Sequence, residues 1–413
     1  MYIKCWMAFW ILAVSSAGIS HAQHTLTGIV SDASNGEPLP YASVVIKDKN
    51  TGTITNALGE FDLNFTEELF DDTLNITMLG YQGYAAPLNK IDLKHILKVR
   101  LRSASFLLKE VVVLSGEGLQ EKVRTALKNV PQNYPREPFS IEGFYMEIKK
   151  ANGKYVSLIE AAVNIYDKNG YSHVKMKNHH RLNDIEEKGS IISIRKSLDY
   201  LQEPLEVQFG LQNNLLAYLL AENPIRYPTH SFISEDFNTI HERTLSHDGI
   251  KVYEITKTLP QGERKIYLDS STLGILSIVE KWPGNYHQRK ISDSVSLLYY
   301  DLDKTVTYRK MKGLLYPEHL KISWRVEKIS AKNKTIVLSL ENSLELLINK
   351  IIVDDVTKIK DGQMELTSLQ WQTGKYDSNF WKHYNLLKDT PLNRQIVEDL
   401  EKGIPLEEQF LKN

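Results

Sequence analysis

The sequence predicts a mainly β protein: an N-terminal Greek-key β-sandwich, then an antiparallel curved-sheet (α+β) domain, then a C-terminal helical segment. Three observations predict it. Short alternating runs separated by Gly, Asn and Pro clusters fill the first hundred residues. Longer extended runs joined by turns such as Asn152-Gly153 follow. After residue 350 apolar residues recur at helical spacing.

The chain begins "MYIKCWMAFWILAVSSAGISHAQH". One cation, Lys4, precedes an apolar run from Trp6 to Val14, and small residues end in Ser20-His21-Ala22. That order is a secretory signal with cleavage after Ala22, its apolar run well short of the ~20 residues a membrane-spanning helix needs. The single cysteine, Cys5, lies inside the signal. The mature chain is therefore expected to have no disulfide, thiolate metal site or cysteine nucleophile. With 50 Lys and Arg against 51 Asp and Glu, there is no electrostatic footprint for nucleic acid. The expected location is exported: periplasmic, outer-membrane associated or secreted, with no transmembrane helix in the mature chain.

Residues 24–105 supply the sandwich. "TLTGIVSD" alternates through Leu26, Gly28 and Val30, and "YASVVIKD" repeats the pattern. The clusters "SNGEPLP", "DKNTG" and "NALGE" punctuate them, and Asn56 to Gly59 joins "TGTIT" to "EFDLNF". "DTLNITMLGYQGYAAPL" and "HILKVRLR" add further short strands.

Specific residues in this stretch carry a resemblance: G-x-V at Gly28 and Val30, E-P-L-P at Glu37 to Pro40, A-S-V at Ala42 to Val44, T-N-x-x-G-x-F from Thr55 to Phe61, and "LGYQGY" at Leu79 to Tyr84. Together they resemble the carboxypeptidase-regulatory-like domain, a transthyretin-like sandwich of the bacterial envelope shared with TonB-dependent receptors. Each matched residue serves the backbone, since prolines fix φ and Gly59 suits a turn that a larger residue would strain. The resemblance therefore implies a fold and names no catalytic residue.

Residues 106–134 read as linker and helix. "LLKEVVVLSGEG", Leu107 to Gly118, is similar to the segment that precedes the plug of such receptors and serves there for energy coupling. The residues themselves read as an edge strand, Val111 to Val113, followed by a turn at Ser115 to Gly118. "GLQEKVRTALKNVP" places Leu119, Val123, Leu127 and Val130 near one helical face, with Pro131 ending it.

Residues 135–350 read as the β-rich domain. Hairpins are expected at Asn152-Gly153, at Asp248-Gly249 and at Ser271 to Gly274, with one helical interruption, "PLEVQFGLQNNLLAYLLAENP". "GIKVYEITKTLPQGERKIYLDSSTLGILSIVEKW" is similar to strands of the outer-membrane lipoprotein-carrier fold, whose concave sheet face holds acyl chains. The run is too short and polar for a receptor barrel. Residues 351–413 read as a helical cap, with Phe380, Tyr384 and Leu387 on one face and a second helix from Pro391 carrying Ile396, Val397 and Leu400.

No chemistry stands out. A zinc peptidase needs H-x-x-E or H-E-x-x-H, and neither occurs. His241-Glu242 lacks a second histidine at helical spacing, and His179 and His180 would point to opposite faces of a strand, away from a shared ion with His173. There is no G-x-S-x-G elbow, and Gly153-Lys154 reads as a hairpin turn. Asp71-Asp72 and Asp354-Asp355 read as solvated segment ends, and "DASNGEP" as an Asx turn. Catalytic, cofactor and metal residues are thus expected to be none. The expectation is a non-enzymatic exported envelope protein binding or scaffolding a protein, glycan or lipid partner. Two other classes stay open: an accessory component of a TonB-dependent uptake system partnering a receptor, and a hydrolase or peptidase with an unrecognised site.

Overall fold

The structure is a computed structural model and describes residues 23–104, 116–172, 187–198, 214–228, 240–247, 250–259, 261–359, 367–388 and 392–412. Residues 1–22, expected to be a signal, the segment 105–115 and the turn expected at Asp248-Gly249 lie outside them.

Two sheets build the N-terminal sandwich. One has the order β4-β1-β7, from Glu60–Thr66, Gln23–Asp32 and Leu97–Leu101. The other has the order β3-β2-β5-β6, from Gly52–Ile54, Ser43–Ile46, Thr73–Thr77 and Tyr84–Pro87. Alternation along β1 buries Leu26 and Val30 against Phe61, Leu63, Val44 and Leu74, the core of this sandwich. The T-N-x-x-G-x-F run is explained by backbone bonding. The Thr55 hydroxyl donates to Leu39 O at 2.6 Å and accepts from Ala42 N at 2.9 Å. Asn56 Oδ1 accepts from Leu58 N and Glu60 N, both at 2.9 Å. Gly59 turns the chain at φ 72°, where an added Cβ would meet Val30 O at 2.3 Å. "DASNGEP" is an Asx turn, with Asp32 Oδ1 accepting from Ser34 N at 2.7 Å.

The second unit is a ten-stranded sheet in the order β10-β9-β8-β17-β16-β15-β14-β13-β12-β11. In chain order the strands are β8 Phe139–Ala151, β9 Lys154–Asp167, β10 Lys188–Lys196, β11 Ile240–His247, β12 Ile250–Leu259 and β13 Gly262–Asp269. They continue with β14 Ile275–Lys290, β15 Val295–Met311, β16 Leu314–Ser330 and β17 Ile336–Ile352. All neighbouring pairs are antiparallel, and β17 returns to pair with β8. The β8-β9 turn uses Asn152 at φ 49° and Gly153 at φ 81°, as the Asn-Gly signal predicts.

Helices α1 (Gly116–Lys128), α2 (Val130–Asn133) and α3 (Leu215–Ala221) cover one face of this sheet. Val123, Val130, Tyr134, Leu216 and Leu219 pack there on Ile255, Ile278, Leu320, Leu344 and Leu346. Two sequence expectations are corrected. Gly116 to Gly118 are helical, because they open α1 where a turn was expected. Pro131 stands in the first turn of α2, where its missing N–H costs nothing, so it begins a helical turn as well as limiting the one before.

The C-terminal stretch lies on the opposite face. Helix α4 is Ser378–His383, α5 is Leu392–Leu400 and α6 is Leu406–Lys412. Ile396, Leu400, Leu406 and Phe410 pack on Tyr155 and Leu158. Trp381 packs on Phe144, Ala162 and Leu347. The expected helical face of Phe380, Tyr384 and Leu387 is also corrected. Helix α4 stops at His383, Tyr384 is extended at ψ 141°, and the three residues reach the same cluster through different backbone conformations.

The sandwich docks on this second face. Ile351 N donates to Asn50 O at 3.1 Å, and Thr51 bridges Lys350. The Ser43 hydroxyl donates to Glu318. Asn64 and Asn385 exchange two bonds: Asn64 N to Asn385 Oδ1 at 2.7 Å, and Asn385 Nδ2 to Asn64 O at 3.2 Å.

Candidate binding cleft

A cleft of ≈ 520 Å³ opens where the sandwich, the second face of the long sheet and the C-terminal stretch meet. Its floor follows from strand register. Met146 on β8 lies beside Glu345 on β17, which lies beside Lys321 on β16. The next row on this face is Ile148, Ser343 and Ser323, and the third is Lys150, Glu341 and Arg325. The pleat sends alternate residues to the other side, where Leu320, Ile322, Val326 and Leu344 join the core under the helices. Two rows carrying charge therefore flank a neutral strip of one isoleucine and two serines. Tyr41 and Ala57 of the sandwich form one wall, and Leu387, Lys388 and Ile396 form another.

Tyr41 ties the sandwich to the floor. Its backbone is held at φ 61°, a conformation that side chains other than glycine rarely adopt. Its phenol oxygen accepts from Lys321 Nζ at 2.5 Å. Its ring stacks on His319 at 5.3 Å between centroids. His319 Nε2 in turn lies 2.8 Å from Glu345 Oε1, with Lys321 Nζ 3.9 Å from the other carboxylate oxygen. Burial pushes the Glu345 carboxyl up, but the His319 hydrogen bond and the nearby Lys321 charge outweigh it and hold it below the usual range. Burial opposes the Lys321 charge, yet Glu345 and Tyr41 keep its pKa raised.

The other charges are also matched in place. Arg325 donates to Asp301 at 3.0 and 3.2 Å, pairs with Glu327 and lies over the Tyr300 ring at 4.4 Å. Lys150 lies over the Tyr155 ring at 4.5 Å and 4.0 Å from Glu341. Such a surface has both signs and little net field. It suits a ligand that presents both signs itself, with apolar groups for Met146, Ile148, Leu387 and Ile396.

The helix-covered face is different. A cavity of ≈ 20 Å³ beside Asp167, Tyr171, Glu187 and Asn223 has room for one water and none for an acyl chain. Buried ion networks occupy the face. Arg264 Nε lies 2.8 Å from Glu280 Oε1, and Lys304 Nζ lies 3.3 Å from Glu280 Oε2 and 3.2 Å from Glu222 Oε2. Arg226 Nε lies 3.0 Å from Asp167, and the Tyr227 hydroxyl bonds Glu187. Lys149 Nζ lies 2.8 Å from Glu147, which also accepts from the Tyr145 hydroxyl at 2.8 Å.

Of the residues weighed in the sequence, His173, His179 and His180 lie outside the described residues, as do Leu107 to Val113. His241-Glu242 is in β11, as expected of a strand. Asp71 accepts from Asn89 at 2.9 Å, Asp72 pairs with Lys49 at 3.3 Å and Asp354 with Lys312 at 2.7 Å, all away from the cleft. Among the described residues no group of three or more His, Cys, Asp or Glu could hold a metal ion. Of the cleft residues the sequence singled out only Leu387 and Ile396, as apolar faces of the helical cap, and none of the charged floor residues. The signal that could have found them is in "LKISWRVEK": Lys321, Arg325 and Glu327 alternate with apolar Leu320, Ile322, Trp324 and Val326. A strand with one face apolar and the other charged borders a core on one side and a polar surface on the other.

Residues 26–113 match the family described as CarboxypepD_reg-like domain, so this chain carries that domain at its N-terminal end. Comparison with curated proteins finds no match to the chain. Among the described residues no helix is long and apolar enough to cross a membrane.

Proposed function

We propose that this is a non-enzymatic exported envelope protein whose cleft holds an extended polypeptide segment of a partner. The carrying observation is the register grid: a neutral Ile148-Ser343-Ser323 strip between the Met146-Glu345-Lys321 and Lys150-Glu341-Arg325 rows. An extended chain presents alternating side chains and backbone amides, which match serine hydroxyls along the strip and opposite charges beside it. The volume lies within the ~300–1,000 Å³ usual for binding pockets. The cations and acids of the floor pair with one another, which favours recognition over proton transfer. Domains of the matched family are typical of extracellular or envelope proteins, which agrees with the signal expected at residues 1–22.

The test uses three immobilised panels, of peptides, glycans and lipids, probed with the mature chain and with Ser343→Trp. The indole would fill the strip from the centre of the floor. Peptide capture by the wild type that falls at least about tenfold in Ser343→Trp, with the melting temperature kept, supports the reading. Retention of glycans or lipids alone, or capture indifferent to Ser343→Trp, overturns it.

A further inference from the structure

One end of the long sheet carries three hairpin tips side by side. The β14-β15 tip spans 291–294, the β16-β17 tip 331–335 and the β8-β9 tip 152–153. They are tied together: Ala331 N donates to Ser294 O at 2.9 Å, and Ser339 N donates to Asn152 Oδ1 at 3.0 Å. The first two hairpins project, since β13 last pairs with β14 at Lys281 while β14 runs on to Lys290. The first tip exposes Ile291 at 50%, and the start of β17 beside the second exposes Ile336 at 57% and Val337 at 58%. Large aliphatic side chains so exposed on adjoining turns are costly in water unless something covers them.

The charge around them is one-sided. Arg289, Lys290, Lys328, Lys332, Lys334 and Lys154 lie in the segments 287–294, 326–337 and 152–155, whose acids are Asp293 and Glu327. Asp293 pairs with Lys290 at 2.6 Å, and Glu327 is buried and held by Arg325. The chain as a whole has a net charge of −1, so this end is a local positive pole on a near-neutral molecule.

From this juxtaposition we infer that the hairpin tips dock on an anionic phospholipid bilayer, Ile291, Ile336 and Val337 entering the headgroup boundary and the surrounding cations meeting lipid phosphates. Aliphatic tips ringed by lysine and arginine are complementary to that one surface. The side chains enter where apolar burial is favourable, while long cationic stems keep their charge at the phosphate level. Nucleic acid would make no use of the exposed aliphatic side chains, and the ring of cations around them is what favours an anionic bilayer over a second copy of this near-neutral chain. Ile291, Ile336 and Val337 do not line the cleft, so the tips would orient the molecule on a membrane and leave the cleft free.

The experiment is vesicle co-sedimentation of the mature chain, with vesicles containing phosphatidylglycerol and with vesicles of phosphatidylcholine alone. Wild type should bind the first, lose that binding as salt is raised, and ignore the second. Lys328→Gln/Lys332→Gln/Lys334→Gln should weaken binding about a hundredfold, each cation near an anionic surface contributing about a factor of five. Ile336→Ser/Val337→Ser should weaken it about tenfold. Both variants change polar or exposed positions at the end of the β16-β17 hairpin and should melt with the wild type. The inference is overturned if wild type fails to bind anionic vesicles, binds both kinds equally, or is matched by either variant. It is equally overturned if Ile336→Ser/Val337→Ser dissociates a dimer in light scattering and leaves vesicle binding unchanged.

Discussion

Replacing Lys304 by methionine tests whether the network under α3 is an interdependent electrostatic unit. The Lys304 ammonium lies between Glu222 and Glu280, with side-chain exposures of 10, 12 and 6%. Methionine keeps most of the volume and removes the charge, leaving two carboxylates on the buried face. Breaking a buried pair by deleting one partner costs about 3–5 kcal/mol. Arg264 still holds Glu280 at 2.8 Å, so the lower end, about 3 kcal/mol, is expected for Lys304→Met at neutral pH. The cost must also depend on pH. Burial pushes the Glu280 carboxyl up, but Lys304 and Arg264 outweigh it and hold its pKa below the ordinary 4.5. A depressed carboxylate contributes stability that is present above its unfolded pKa and lost as pH falls through the folded one. Lys304→Met removes part of that depression, so its penalty should shrink between pH 7 and pH 3. Urea unfolding of wild type, Lys304→Met, Glu222→Gln and the double variant at both pH values measures this. The reasoning is refuted if Lys304→Met costs less than about 1 kcal/mol at pH 7, if its cost is equal at both pH values, or if the double variant shows simple additivity.

Three further outcomes are expected. Burial, with the neighbouring Asp167 charge, raises Glu187 from 4.5 to about 7. The folded state then holds the proton more tightly than the unfolded state, so stability should fall by up to about 3 kcal/mol as pH rises from about 4.5 through 7. Glu187→Gln should flatten that part of a melting-temperature profile, and an unchanged slope would count against the assignment. Gly59→Ala places a Cβ 2.3 Å from Val30 O at φ 72° and should cost about 1–3 kcal/mol in chemical unfolding. Trp381, 4% exposed, meets Phe144 edge-to-face with the Arg195 guanidinium 4.6 Å from its own ring. Trp381→Ala should cost about 3–5 kcal/mol and speed proteolysis of residues 378–412, and a variant as resistant as wild type would show that this stretch is held elsewhere.

The N-terminal sandwich was legible because its cues are local. Gly59 and Asn56 satisfy backbone geometry within their own turn, and Thr55 bonds Leu39 and Ala42 of the preceding segment, so their types are dictated within the sandwich. The antiparallel character of the second unit was legible for the same reason: Asn152-Gly153 can reverse a chain whatever lies around it. The end of α4 at His383 was not legible, because Tyr384 leaves the helix to reach a cluster built by Phe144, Leu347 and Ile54 from distant segments.

The cleft depended wholly on tertiary structure. Alternation in "LKISWRVEK" shows that Lys321 and Arg325 share a face, and nothing in it shows that Glu345 and Glu341 lie beside them or that Tyr41 arrives from 280 residues away. Register across β8, β17 and β16 is set by which faces the helices bury, a one-residue slip being forbidden because it would turn Leu320, Ile322 and Leu344 outward. The sequence by itself determined the sandwich, the hairpins and the two-sided strands, since backbone strain and the period of two act locally. Which charges meet was decided by strand register, and the wall of the cleft by the docking that brought Tyr41 onto the sheet, because both sets of contacts are non-local.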